Sequence, residues 1–268
     1  MSTFNIEKFL NSLPEDIQNL DLSNINLTYI PSLKRFSRLE VLYCKNNFNL
    51  TALPELNSSL KELHCANCSL TELPLLNDSL IFLSCCYNLL TELPELNRSL
   101  ICLQCNGNKL TKIPELNSSL RKLYCCHNRV TELPLLNDCL EVLYVENNLI
   151  TRLPKLNPTL QCLNIFNNPI LELPELNCCL EVLFCKSDQL PFEINCATCD
   201  DGILNSTKKN EINRKIKCLK QFKEQYWALK FKTPLRDWLW LKVRLPRILQ
   251  DYHPDCFLSS VTEEDLNA

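Results

Sequence analysis

Six consecutive segments, beginning at Leu60, Leu80, Leu100, Leu120, Leu140 and Leu160, align without a gap at a period of 20 residues. The unit "LRKLYCCHNRVTELPLLNDC" (120–139) is representative. Two irregular units precede these, starting at Ile17 and Leu39, and "LEVLFCKSDQL" opens an incomplete one at Leu180. A unit this short cannot bury its own apolar face, so neighbours must stack into one continuous core. The chain is therefore expected to form a repeat solenoid.

Within the unit 120–139, Leu120, Leu123, Cys125, Val130, Leu133 and Leu136 are expected to point inward. Positions three to seven predict a short strand with alternating side chains, so nine strands align as one parallel sheet on the concave face. At roughly 4.8 Å per strand that face is about 38 Å long. The proline of each "LPxLN" segment forbids a regular helix on the convex side, which is expected to be extended or polyproline-like.

The unit matches L-x-x-L-x-L-x-x-N/C-x-L, with cysteine at the sixth position, and so resembles the leucine-rich repeat family over residues 17–190. The resemblance implies a horseshoe whose concave face binds a protein. The short "LTxLPxL" form is similar to the repeats of leucine-rich effectors from enteric bacterial pathogens, with asparagine in place of their second proline. It is also similar to asparagine- and cysteine-rich repeat proteins of giant DNA viruses of amoebae.

Three columns are read as structural. Position nine carries Asn47, Asn88, Asn108, Asn128, Asn148 and Asn168, with Ile25, Cys68 and Asp188 as departures. Their amides are expected to form a ladder that satisfies backbone groups where each strand ends. Asn57, Asn77, Asn97, Asn117, Asn137, Asn157 and Asn177 do the same on the opposite edge. Position six holds Cys44, Cys65, Cys85, Cys105, Cys125 and Cys185, and its alternatives Leu22, Val145 and Ile165 mark the site as apolar. Cysteine here is a small buried hydrophobe with an unreactive thiol.

Positions three, five and seven face outward and supply the candidate binding surface. The partner-binding residues read from it are Tyr43, His64, Phe82, Tyr124, Tyr144, Phe166 and Phe184. Val41, Val142 and Val182 lie among them, and Lys45, Glu62, Lys122, Glu146 and Lys186 form a charged rim. Cys86, Cys102, Cys126 and Cys162 are expected to open onto the same face. The adjacent pair Cys125 and Cys126 points to opposite sides of the strand, so "YCCH" is not a metal site. Cys196 and Cys199 have ligand spacing but no second pair, and no metal or cofactor is expected.

At the N-terminus, residues 1–16 are expected to form a helical cap, with Phe4, Ile6, Phe9, Leu10 and Leu13 apolar. Residues 191–268 are expected to form a basic helical region. Residues 205–247 hold 13 basic and 3 acidic side chains in a chain of formal net charge −3. The periodicity predicts an amphipathic helix over 211–232, with Ile212, Ile216, Leu219, Phe222, Tyr226 and Leu229 on one side. A tryptophan-rich helix is expected between Pro234 and Pro246.

The expected function is a non-enzymatic interaction scaffold, monomeric and cytoplasmic, for an unknown protein partner, with a host protein as target if the source is a virus or pathogen. With only Gly107 and Gly202, glycine-rich phosphate loops are excluded. Two alternatives stay open. One is a ubiquitin-ligase effector or adaptor, because effectors of this type carry a Cys-x-Asp nucleophile that Cys199 to Asp201 matches in bare form. The other is peripheral binding of an anionic membrane through 205–247, with nucleic acid the weaker form of that reading. No apolar run reaches the roughly 18 residues of a membrane span.

Overall fold

A computed structural model of the chain describes residues 5–185 and 206–230. Nine three-residue strands occur in chain order: β1 (Asn19–Asp21), β2 (Val41–Tyr43), β3 (Glu62–His64), β4 (Phe82–Ser84), β5 (Cys102–Gln104), β6 (Lys122–Tyr124), β7 (Val142–Tyr144), β8 (Cys162–Asn164) and β9 (Val182–Phe184). They form one parallel sheet in sequential order. Every pairing keeps the repeat register, as in Leu103 opposite Leu123 and Tyr124 opposite Tyr144.

The strands span positions three to five, two residues fewer than the sequence predicts. At position eight the backbone turns left-handed in every unit from Asn24 to Asn167. Backbone pairing nevertheless continues past the strand. Cys125 N–H donates to Tyr144 O at 2.7 Å and His127 N–H to Glu146 O at 2.8 Å. Left-handed backbone favours asparagine and glycine. The column accordingly reads Asn24, Asn46, Asn67, Gly107, Asn147 and Asn167, with Tyr87 and His127 as departures. Gly107 is doubly constrained, because a Cβ there would stand 2.5 Å from the Tyr87 ring.

One core runs through the stack. Leu120, Leu123, Cys125 and Val130 are fully buried, as are their counterparts in neighbouring units. Leu133 and Leu136 are only half-buried and pack against this core from the convex side. Among the described residues no helix forms in the convex segments, and Arg152 and Glu172 are joined there by a parallel bridge.

The ladder at position nine is complete wherever it has work to do. Asn128 Nδ2 donates to the Cys105, Cys125 and Cys126 carbonyls, while its Oδ1 accepts from Leu110 N–H. The departures follow from local geometry. Ile25 has no preceding unit to bind and packs against the core instead. Before Cys68 the unit has one extra residue, which lets Leu50 N–H reach Asn47 O at 2.9 Å. Only a donor is then needed, and the Cys68 thiol donates to Cys44 O at 3.3 Å. Asp188 lies outside the described residues.

Cys68→Asn is therefore expected to bring no gain, and to cost up to about 1 kcal/mol, because its Oδ1 would face an amide already bonded. Urea denaturation checks this. Stabilisation by about 1 kcal/mol or more would mean that the Leu50 amide lacked an adequate acceptor.

Helices lie at both ends of the described chain. In α1 (Ile6–Asn11), Asn5 Oδ1 accepts from Lys8 N–H as an N-cap, and Ile6 and Leu10 join the core. Phe4 lies outside the described residues. The second helix, α2 (Ser206–Lys230), begins five residues earlier than the periodicity predicts. Ile212 is buried in the common core and Ile216 packs against it. Asn213 brackets Leu176, its Oδ1 accepting from the backbone N–H at 2.8 Å and its Nδ2 donating to the carbonyl at 2.9 Å. Lys223 pairs with Glu172, and Lys209 Nζ donates to Cys178 O. The tryptophan-rich segment and Cys196, Cys199 and Asp201 lie outside the described residues.

Candidate functional site

The outward row at position five reads Asp21, Tyr43, His64, Ser84, Gln104, Tyr124, Tyr144, Asn164 and Phe184 across the nine strands. Strand spacing brings adjacent members of such a row within ring-contact distance. Two separate clusters result. Tyr43 stacks on His64 with centroids 4.5 Å apart, and Phe82, one strand on at position three, meets His64 at 4.8 Å. His64 Nε2 also lies 3.2 Å from Glu62 Oε2. Three strands beyond His64, Tyr124 and Tyr144 make an edge-to-face pair at 5.4 Å.

Among the described residues, no ring contact joins Phe166 or Phe184 to either cluster. Phe166, at position seven, is 41% exposed, whereas Phe184 and the five clustered rings are half-buried. The predicted aromatic column is thus two clusters and two single rings. Ser84 and Gln104 make the gap between the clusters.

The thiols of this face differ from expectation in one case. Cys102, Cys126 and Cys162 are half-buried, but Cys86 is only 8% exposed and does not open onto the surface. Position seven lies beyond the strand, so exposure there depends on neighbouring side chains rather than on alternation. Burial pushes the Cys126 thiol up to about 11 and raises those of Cys86, Cys102 and Cys162. At neutral pH these sulfurs are protonated and weakly nucleophilic. Burial likewise raises the phenols of Tyr124 and Tyr144.

A further row escaped the reading of the sequence. Side chains at the left-handed position eight form an exposed amide chain, with Asn46 Nδ2 donating to Asn24 Oδ1 and Asn67 Nδ2 to Asn46 Oδ1. Tyr87 and Gly107 interrupt it, and it resumes where Asn147 Nδ2 meets His127 Nε2 and Asn167 bonds Asn147. The signal was the asparagine and glycine preference of that column, overshadowed by the adjoining one. No group of three or more histidine, cysteine or acidic side chains suited to a metal ion occurs among the described residues.

No family model and no curated protein matches the chain. Solved structures do. YopM from Yersinia enterocolitica is 35% identical over 69% of this chain and 40% of its own, with a TM-score of 0.64. YopM from Yersinia pestis, described as a leucine-rich effector protein, is 34% identical over 65% of this chain and 49% of its own, with a TM-score of 0.61. A Shigella effector leucine-rich-repeat domain is 30% identical over 62% of this chain and 74% of its own, with a TM-score of 0.54.

The chain belongs to the leucine-rich repeat family. Its parallel sheet, proline-bearing convex side and C-terminal helix are those expected of a leucine-rich-repeat horseshoe. The resemblance to bacterial effector repeats holds at the level of structure. This leucine-rich-repeat chain spans less than half of either YopM structure, 40% and 49%. No helix among its described residues is long and apolar enough to cross a membrane.

Proposed function

We propose that the chain is a non-enzymatic scaffold that binds another protein across its concave sheet. The observation that carries this reading is the pair of aromatic clusters on one continuous face, with Glu62, Lys122 and Glu146 around them. Partly exposed aromatic rings with a charged rim are the usual anchors of a protein interface. Tyr43, His64, Phe82, Tyr124, Tyr144, Phe166 and Phe184 are the contact residues in this reading. The likeness to YopM, an effector, supports a host protein as target and the host cytoplasm as the place of action. The same reading divides the chain into a cap (1–16), a solenoid (17–190) and a basic C-terminal region (191–268), and treats it as a monomer. The burial of Ile212 and the bracket formed by Asn213 support a capping role for α2 over binding of an anionic surface.

Affinity capture with the wild-type chain and with a Tyr124→Ala/Tyr144→Ala double variant tests the proposal. The specific partner is expected to be lost, its affinity falling by about tenfold or more. It should be kept by a Leu75→Ala/Leu135→Ala variant, which changes exposed leucines of the "LPLLN" segments on the convex side. A partner list unchanged by the tyrosine variant would overturn the concave-face reading.

A further inference from the structure

The two ends of the aromatic row are built differently. Tyr43, His64 and Phe82 are closed on one another, with neighbouring centroids 4.5 and 4.8 Å apart, so nothing planar fits between them. In the other half the row runs Tyr144, Asn164, Phe184, and Asn164 is buried with only 9% exposure. Two strand steps separate Tyr144 from Phe184, ~9.6 Å. One planar group in van der Waals contact with a ring on either side needs about 7–8 Å.

The floor of this slot carries a fixed charge. Glu146 leans from position seven of its unit over the neighbouring strand, where Oε2 accepts from Asn164 Nδ2 at 3.0 Å. Its Oε1 accepts from Asn147 Nδ2 at 2.9 Å. Asn164 is itself held, its Oδ1 accepting from Phe166 N–H at 3.1 Å. The carboxylate is thus preorganised by two amides and, among the described residues, has no cationic partner. The acidic side chains Glu40 and Glu141, by contrast, pair with Lys61 and Arg121.

We propose that the Tyr144–Glu146–Asn164–Phe184 slot receives a cationic side chain, an arginine guanidinium, from a basic segment of the protein partner. A guanidinium is planar, stacks on aromatic faces and forms a charge-assisted bond to a carboxylate. Charge complementarity points the same way, since residues 5–185 carry 14 basic and 19 acidic side chains. The inference rests on the concave-face reading and names the chemistry of its occupant.

The test uses the full chain and a fluorescein-labelled acetyl-(Gly-Arg)4-amide peptide, with the citrulline analogue as a neutral isostere. Fluorescence anisotropy at about 50 mM salt keeps the electrostatic part visible. The arginine peptide is expected to bind about tenfold more tightly than the citrulline peptide, and Glu146→Gln to remove most of that difference. Tyr144→Leu is expected to weaken the arginine peptide about fivefold. Glu95→Gln, which removes the same charge from an exposed "LPELN" position, should change it less than about twofold.

Equal binding of the two peptides, or equal losses from Glu95→Gln and Glu146→Gln, would overturn the slot. Circular dichroism melts establish that each variant is folded. If the captured partner is lost with Tyr124→Ala/Tyr144→Ala but kept with Glu146→Gln, the concave-face reading stands and the slot fails. If it is kept with both, the concave-face reading itself fails.

Discussion

Raising the pH from 9 towards 11 under reducing conditions is expected to unfold the solenoid steeply. Cys44, Cys65, Cys85 and Cys105 sit in the core at zero exposure. Burial holds the thiols of Cys44, Cys65 and Cys85 well above the ordinary value of 9.0. For Cys105 the close Cys125 sulfur acts first and burial adds to it. A folded value raised above the unfolded one means that stability is fully present below about pH 9 and is lost as the pH climbs towards the folded values. Above pH 9 the unfolded chain sheds protons that the folded chain keeps, at about 1.4 kcal/mol per thiol per pH unit.

Four such thiols approach about 5.5 kcal/mol per pH unit, enough to exhaust a typical stability of 5–15 kcal/mol within about one to three units. Urea midpoints at pH 7.5, 9 and 10 measure the slope. A variant with valine at the four positions, the residue that Val145 provides in the same column, should show a markedly shallower slope, the remainder coming from the raised thiols of Cys86, Cys102, Cys126 and Cys162. An unchanged slope in that variant would place the alkaline sensitivity elsewhere.

The second large effect is expected at the ladder. Asn128→Ala removes a side chain that bonds three carbonyls and one amide, leaving the Leu110 N–H buried without its acceptor, while the Cys105, Cys125 and Cys126 carbonyls keep Asn108 Nδ2, Asn148 Nδ2 and Gly107 N–H as donors. With the orphaned amide costing roughly 1–3 kcal/mol and the lost bonds to already partnered carbonyls adding about 1 kcal/mol, the variant should lose about 2–4 kcal/mol in urea denaturation with an unchanged slope. Asn97→Ala, in the opposite column, should cost less. Its Nδ2 has the single Leu80 carbonyl as acceptor, and its Oδ1 has no partner. Equal losses at the two sites would show that burial of the amide, rather than its bonding, sets the cost.

Much of this was legible in the sequence because each repeat states the same environment again. Leu22, Val145 and Ile165 in a cysteine column identify a buried apolar site more firmly than one cysteine can. Features set by a single local event were not legible. The extra residue before Cys68 reroutes one amide, and nothing in Cys68 itself announces that. Cys86 seemed outward by alternation, yet alternation ends with the three-residue strand. Glu146 and Asn164 stand 18 residues apart and meet only across strands, so their pairing needed the register. Tyr43, His64, Phe82, Tyr124 and Tyr144 were visible as surface rings, but their division into two clusters follows from Ser84 and Gln104 between them.

The invariant register also makes the molecule a ruler. The two aromatic clusters stand three strands apart, from His64 to Tyr124, and identical interfaces lie between them. Removing or duplicating one 20-residue unit would change their separation by one strand step of ~4.8 Å and leave the remaining pairings in kind. The distance between anchor points is therefore set in whole increments. A lineage of such chains can retune its reach to a new partner by counting units, without redesigning any residue that does the gripping.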